Sequence, residues 1–229
     1  MSPAGPQGRE AAPRRVRRVR ERLLRDGAVV SRADGATRRL EPLAISPAEG
    51  EALRGWVVGE GAARTIEIGL GYGISALFVC EGLLESGGPD ARHVVVDPYQ
   101  ARLGDCGLQV LEEAGLMPLV EHHAEESQLA LPRMLGEGWR FDLAFVDGNH
   151  RFDGVFLDLA YLGRLLRRGA VVFLDDYQLP AVARAASFFL RNRAWTLEEV
   201  SPADALHQWA VLRTSRTADE RPFDFYVEF

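Results

Sequence analysis

The sequence has no lysine; all 27 of its basic residues are arginine. That excludes a lysine nucleophile or a lysine Schiff base. With abundant alanine and glycine, it reads as coding bias rather than as function. Cysteine is nearly absent: Cys80 and Cys106 stand alone, in no metal-ligand or redox spacing. A reducing, cytoplasmic setting fits that usage. No apolar run approaches membrane-spanning length, and the N-terminus has no apolar core of a secretion signal. A net charge of −6 argues against non-specific nucleic-acid binding by the whole chain. What is present is ordinary for a globular protein: 47% apolar and 26% charged residues in 229, enough for one large core.

Residues 1–45 read as an N-terminal extension and 46–229 as the main domain. Met1 to Pro13, rich in Gly, Pro and Ala, is expected to be disordered. Arg14 to Arg25 has helical spacing, with Val16, Val19, Leu23 and Leu24 on one face and arginines on the others. It reads either as a docked helix with a solvated face or as a lid or oligomer helix. A hairpin follows, with Ala33–Ala36 as its turn. Ser46-Pro47 then opens a helix, with Glu49 at capping-box spacing.

From Thr65 onward short apolar strands alternate with helices. Strands are expected at Thr65–Ile68, His93–Val96, Leu119–His122, Phe141–Val146, Ala170–Leu174, Thr196–Val200 and Gln208–Leu212. The alternation predicts an α/β fold: a doubly wound, Rossmann-like, mostly parallel seven-stranded sheet with helices on both faces and an N-terminal helical extension. Pro222–Phe229 alternates Phe223, Phe225, Val227 and Phe229, as an edge strand or a dimer contact would.

The stretch Ile66-Glu-Ile-Gly-Leu-Gly-Tyr-Gly73 reads as strand, glycine turn and helix start. Such a turn places a polar ligand at the carboxyl edge of a parallel sheet. A dinucleotide fold wants its third glycine five residues after the first; here Gly69, Gly71 and Gly73 come at every second position. Glu67 is a carboxylate within an apolar strand, costly unless it meets a partner such as a ligand ammonium. It would repel a pyrophosphate. Asp97 ends the next strand, 24 residues after Gly73, where an acid contacts ribose hydroxyls in nucleotide folds.

A second constellation follows. Asp147-Gly-Asn-His150 ends one strand and Asp175-Asp176 ends the next. If those strands neighbour the first, three carboxylates and a histidine meet at one sheet edge. Carboxylates that close repel unless a cation or proton intervenes, and an all-oxygen set suits Mg²⁺, with Mn²⁺ or Ca²⁺ as alternatives. The plainer reading makes Asp147 a turn residue and Asp176 a helix cap. His150 can serve as general base, since an unperturbed imidazole titrates at about 6.5. His122 and His123 read as structural, and His93 and His207 lie near strand starts, expected at the edge away from the ligand.

Together, Ile66–Gly73, Val96-Asp97, Phe141–His150 and Gly169–Tyr177 resemble the class I S-adenosylmethionine-dependent methyltransferases. The subgroup resembled is the metal-dependent O-methyltransferases of catechol and macrocin type. The resemblance implies that Glu67 and the turn Gly69, Gly71, Tyr72, Gly73, with Ser75 after it, hold the methionine end. It implies that Asp97 binds the ribose, and that Ser127 and Gln128 meet the adenine. Asp147, Asp175 and Asp176 would ligate Mg²⁺, Asp147 also lying near the cofactor, and His150 would be the base. The catechol enzymes have Lys near the position of His150 and Asn at that of Asp176, so a catechol is not the implied acceptor. A small hydroxylated molecule of specialised metabolism is expected, with no nucleic-acid or membrane partner and with a homodimer as the expected assembly. A nicotinamide oxidoreductase, a metal-independent methyltransferase on nitrogen or oxygen, and a non-catalytic binding protein are the alternatives.

Overall fold

The computed structural model describes residues 6–229 except 204 and 206, with side chains from residue 12 onward. The expectation of disorder for Met1–Pro13 lies partly outside the described residues. Within them it is overturned, because Pro6–Pro13 are helical. The chain forms two compact units: Met1–Arg64 with Leu70–Ala124, and Thr65–Gly69 with Glu125–Phe229.

In the first unit, α1 (Pro6–Asp26) presents Val16, Val19 and Leu23, all buried, to α3 (Ile74–Ser86) and α4 (Cys106–Ala114). Its arginines do not simply face water. Arg20 and Arg17 reach the fully buried Glu81 of α3 at 2.6 and 2.7 Å, and Arg15 donates to the Glu113 carbonyl at 2.7 Å. The segment is thus docked through Val16, Val19 and Leu23. The hairpin of β1 (Ala28–Val30) and β2 (Thr37–Arg39) is pinned by Ser31, whose hydroxyl donates to the Gly104 carbonyl at 2.9 Å. Ser46 caps α2 (Pro47–Gly59) by accepting from the Glu49 amide at 3.1 Å. Helix α3 is buried continuously from Ile74 to Leu83, as a helix without a polar face must be. Strand β4 (Arg92–Val96) runs parallel to β5 (Val120–His123).

In the second unit, β3 (Arg64–Ile68), β6 (Phe141–Val146) and β7 (Leu166–Leu174) are parallel neighbours. Their register puts Ile68, Val146 and Leu174 in one row. Helices α5 (Ser127–Gly136) and α6 (Phe152–Leu165) follow β5 and β6, and α7 (Pro180–Asn192) follows β7. The last strand, β9 (Ala210–Arg213), is antiparallel both to β7 and to β8 (Thr196–Val200). The seven strands of the sheet run in the order β5-β4-β3-β6-β7-β9-β8. This is the expected α/β architecture, with parallel strands buried as apolar runs.

Two expectations need correction. Strand β7 starts at Leu166, not Ala170, because the chain passes directly from α6 into the sheet through a register shift and turns at Gly169, whose φ is 74°. Pro222–Phe229 is not an edge strand. Two side chains of α7 hold its backbone: Asn192 donates to the Val227 carbonyl at 2.8 Å and accepts from the Val227 amide at 2.7 Å, and Arg191 donates to the Glu228 carbonyl at 3.0 Å. Phe229 meets Phe188 edge-on, and Phe223 is fully exposed. Among the described residues no helix is long and apolar enough to cross a membrane.

Two buried charges set testable stabilities. Removing the Glu81 carboxylate (Glu81→Ala) leaves the buried Arg20 with its longer pair to the exposed Glu51 at 3.2 Å, and should cost about 3 kcal/mol in urea denaturation. Asp158 of α6 is 1% exposed and neither of its oxygens makes a hydrogen bond. Burial pushes its carboxyl up to about 6, and the Ser127 side chain only partly offsets this. The folded state therefore holds the proton more tightly than the unfolded one, and stability falls as pH rises from about 4 to about 6. Asp158→Asn should remove that fall and be more stable than the parent above pH 6, by about 3 kcal/mol.

Candidate active site

Each glycine of the turn has a positive φ: 89° at Gly69, 51° at Gly71 and 80° at Gly73. A β-carbon at Gly69 would lie 2.0 Å from the Asp147 carbonyl oxygen, and one at Gly73 would lie 3.1 Å from that of Gly107. The alternate glycines are thus dictated by backbone conformation and, at Gly69, by a neighbouring backbone as well. Gly73 stands at the N-cap of α3 with no side chain capping that end. The first amides of α3 can therefore meet a polar ligand. Tyr72 and Ser75 are both buried beside the turn, and Glu67 is fully buried in β3, in register with Phe145.

Asp97 braces this turn. Its Oδ2 accepts from the amides of Leu70 at 3.0 Å and Gly71 at 3.3 Å, and from the Gln100 side chain at 2.8 Å. Its Oδ1 accepts from the Tyr99 amide at 2.7 Å. Sequence reasoning missed Gln100. Its amide nitrogen also donates to the Gly71 carbonyl at 2.9 Å, while its oxygen accepts from the Gly107 amide at 3.1 Å. The available signal was its place one turn beyond Asp97, with a side chain able to donate and accept at once. His122, read as structural, contacts the Asp97 carbonyl at 2.9 Å. Of the residues expected near adenine, Ser127 opens α5 half-buried, and Gln128 is exposed and pairs with Glu126.

The second constellation assembles as the register requires. Asp147 and Asp175 directly follow Val146 and Leu174, adjacent in the row of strand ends. Burial pushes the Asp147 carboxyl well up; His150 pulls it back and the Asp175 charge adds to the rise. His150 stands between two carboxylates, with Nε2 3.4 Å from Asp147 Oδ1 and Nδ1 3.0 Å from Asp176 Oδ2. Asp147 most of all, then Asp176 and Asp175, hold its imidazole above the ordinary range against the opposing effect of burial. Asp176 has a left-handed φ of 52°, unusual for a non-glycine residue, and its Oδ1 accepts from Gln178 at 2.6 Å.

His207 is where the sequence reading failed. It was placed at the far edge because it precedes a strand. That strand, β9, is antiparallel, so its start lies beside the end of β7: Ala210 pairs with Leu174. The His207 Nδ1 consequently sits 3.2 Å from Asp176 Oδ1.

The residues suit a divalent cation in chemistry. Asp175 Oδ1 is buried with no hydrogen bond, and the Asp147 carboxylate next to it is disfavoured as a lone charge. In geometry, the Asp176 carboxylate is already held by His150, His207 and Gln178. Among the described residues no group of three His, Cys, Asp or Glu is arranged to hold a metal.

Residues 66–177, which contain both constellations up to Tyr177, match a family model described as a methyltransferase domain. Over those residues the chain is similar to methyltransferase domains. Solved structures share its fold. The O-methyltransferase of Bacillus cereus, in complex with SAH, is 17% identical with a TM-score of 0.66, covering 90% of each chain. TomG of Streptomyces achromogenes, an O-methyltransferase involved in tomaymycin synthesis and solved with SAM, is 21% identical with a TM-score of 0.65. It covers 88% of this chain and 89% of its own. Cofactor-bound Rv0187 from MTB is 20% identical with a TM-score of 0.67, over 95% of this chain and 100% of its own. Among curated proteins, none matches in sequence.

The glycines of the turn should respond unequally to a methyl group. Gly71→Ala meets nothing nearer than the Leu43 carbonyl at 3.5 Å, so it should cost only the left-handed strain of about 1–2 kcal/mol. Gly69→Ala drives a methyl into the Asp147 backbone and should cost clearly more. Urea denaturation of the two variants in parallel checks the order.

Proposed function

We propose that this chain is a class I S-adenosylmethionine-dependent methyltransferase that methylates a hydroxyl group of a small molecule, with His150 as the base. The observation that carries the reading is the state of His150. It stands between two acids, Nδ1 3.0 Å from Asp176 Oδ2 and Nε2 3.4 Å from Asp147 Oδ1, and they raise its pKa above the ordinary histidine value.

When bound, S-adenosylmethionine supplies a methyl group already activated on a sulfonium; what remains for the protein is alignment and proton removal. In this reading the glycine turn and Glu67 hold the methionine end. Asp97 serves the ribose by exchanging one of its present bonds for a ribose hydroxyl, while Ser127 and Gln128 lie along the adenine. His150 takes the acceptor's hydroxyl proton. The freed oxygen pair forms the O–CH₃ bond as the S–CH₃ bond breaks, leaving S-adenosylhomocysteine. The carboxylates flanking His150 favour the imidazolium it then becomes, which strengthens it as a base.

A divalent cation, Mg²⁺ first, is part of this proposal. Asp147, Asp175 and Asp176 would hold it, and it would lower the pKa of the acceptor hydroxyl. Support comes from the unpartnered Asp175 oxygen beside Asp147. One observation favours a second reading without metal: the Asp176 carboxylate is already engaged by the two histidines and Gln178.

The test is methyl transfer from labelled S-adenosylmethionine to a panel of sugars and phenols. His150→Asn should lower kcat by about 10²–10⁴-fold while S-adenosylhomocysteine affinity, by calorimetry, stays within about twofold. Equal turnover by the variant would overturn the role of His150. Exhaustive dialysis against a chelator should abolish turnover, and Mg²⁺ should restore it; full activity after chelation would select the metal-independent reading. Because the base must be neutral and its flanking carboxylates raise its pKa, the rate should climb with pH through a midpoint above the ordinary histidine value.

A further inference from the structure

We infer that Gln100 is a positioning residue for Asp97, and that it leaves one carboxylate oxygen, Oδ1, to receive a single ribose hydroxyl of the cofactor. This rests on the reading of the chain as an S-adenosylmethionine-dependent methyltransferase. The residues concerned all lie in the first compact unit. Gln100 opens the short helical segment Gln100–Leu103 and is 3% exposed. Its side-chain nitrogen faces two groups that can only accept, the Gly71 carbonyl at 2.9 Å and Asp97 Oδ2 at 2.8 Å. Its side-chain oxygen faces one that can only donate, the Gly107 amide at 3.1 Å. The amide is therefore fixed in one orientation. Gly107 leaves no slack around it: a β-carbon there would lie 2.7 Å from both Gln100 Oε1 and the Gly71 carbonyl oxygen.

This wedge decides which way the Asp97 carboxylate is turned. A carboxylate offers about four lone-pair sites, or about two on each oxygen. Oδ2 already receives three donors: the Leu70 amide at 3.0 Å, the Gly71 amide at 3.3 Å and Gln100. Oδ1 receives one, the Tyr99 amide at 2.7 Å. A carboxylate free to rotate can meet the two neighbouring hydroxyls of a ribose with one oxygen each. Here Oδ2 is spent on the protein, so the exchange with a ribose hydroxyl falls at Oδ1. Tyr99 is 47% exposed, and its amide can pass to water when the hydroxyl takes its place. The site consequently reads one ribose hydroxyl rather than both. Without the Gln100 bonds the carboxylate can turn, and the preference for that hydroxyl goes with them.

The experiment measures, by calorimetry on the full chain, the affinities of S-adenosylhomocysteine and of its 2′-deoxy and 3′-deoxy analogues, so no acceptor need be known. The wild type should bind one deoxy analogue about 10–100-fold more weakly than the parent compound, and the other within about threefold of it. Gln100→Met keeps the length of the side chain but neither hydrogen-bonding group. It should bind S-adenosylhomocysteine about tenfold more weakly, with the gap between the two analogues reduced to about threefold or less. Gln100→Asn, whose amide falls one methylene short of both acceptors, should lose the gap as well, so either folded variant carries the test. Circular dichroism certifies the fold of each. Two deoxy analogues of equal affinity in the wild type overturn the inference. So does a variant that keeps the wild-type gap, even if it binds all three compounds more weakly, because Gln100 would then act on the fold and not through Asp97 on the ribose. If the wild type binds no S-adenosylhomocysteine, the functional reading itself fails; if it binds all three compounds without the gap, only the inference does.

Discussion

The structure depends on the register of three parallel strands. Because β3, β6 and β7 end in one row at Ile68, Val146 and Leu174, whatever follows each strand emerges side by side. Adjacent strands lie about 4.8 Å apart, so two aspartates placed one residue past that row are forced near each other. Their repulsion is not accidental crowding; the ladder of backbone hydrogen bonds imposes it, and apolar strand interiors such as Phe145 and Phe173 keep the ladder in place. The electrostatic character of the site follows. Asp147 cannot easily be a lone anion there, and His150 is drawn toward its cationic form by the acids around it.

Around this fixed row the protein adds adjustable parts. Asp97 and Gln100 knit the glycine turn to the short helical segment beyond β4 by four bonds to backbone amides and one to a carbonyl. On the other unit, Asp176 is positioned by side chains rather than by register. The first arrangement suits a ligand whose shape does not vary. The second is built on loops, which can vary without disturbing the sheet. The fold persists in solved structures at 17–21% identity.

Much of this was legible in the sequence, and the reasons are local. Thr65–Ile68 and Phe141–Val146 are apolar runs bounded by turn residues, and such runs announce buried strands. The glycine spacing and the paired Asp175-Asp176 could be read because turn chemistry and charge are properties of neighbouring residues. What escaped were facts of orientation. Nothing near His207 reveals that its strand runs antiparallel; that is decided by the hairpin with β8, which reverses the chain before it re-enters the sheet. The alternating aromatic residues of Pro222–Phe229 carried the period of a strand, but Asn192 supplies the hydrogen bonds a neighbouring strand would have given. Gln100 was unremarked because an amide gains meaning only from the partners around it.

The contact between Gly69 and the Asp147 backbone carries one more consequence. With a β-carbon's room removed, the first glycine of the turn and the carbonyl of Asp147 are as close as two main chains can comfortably be. They therefore behave as a single mechanical piece: neither can shift without carrying the other. The loops at the rim can drift over evolutionary time, while this junction stays tied to the ends of the strands.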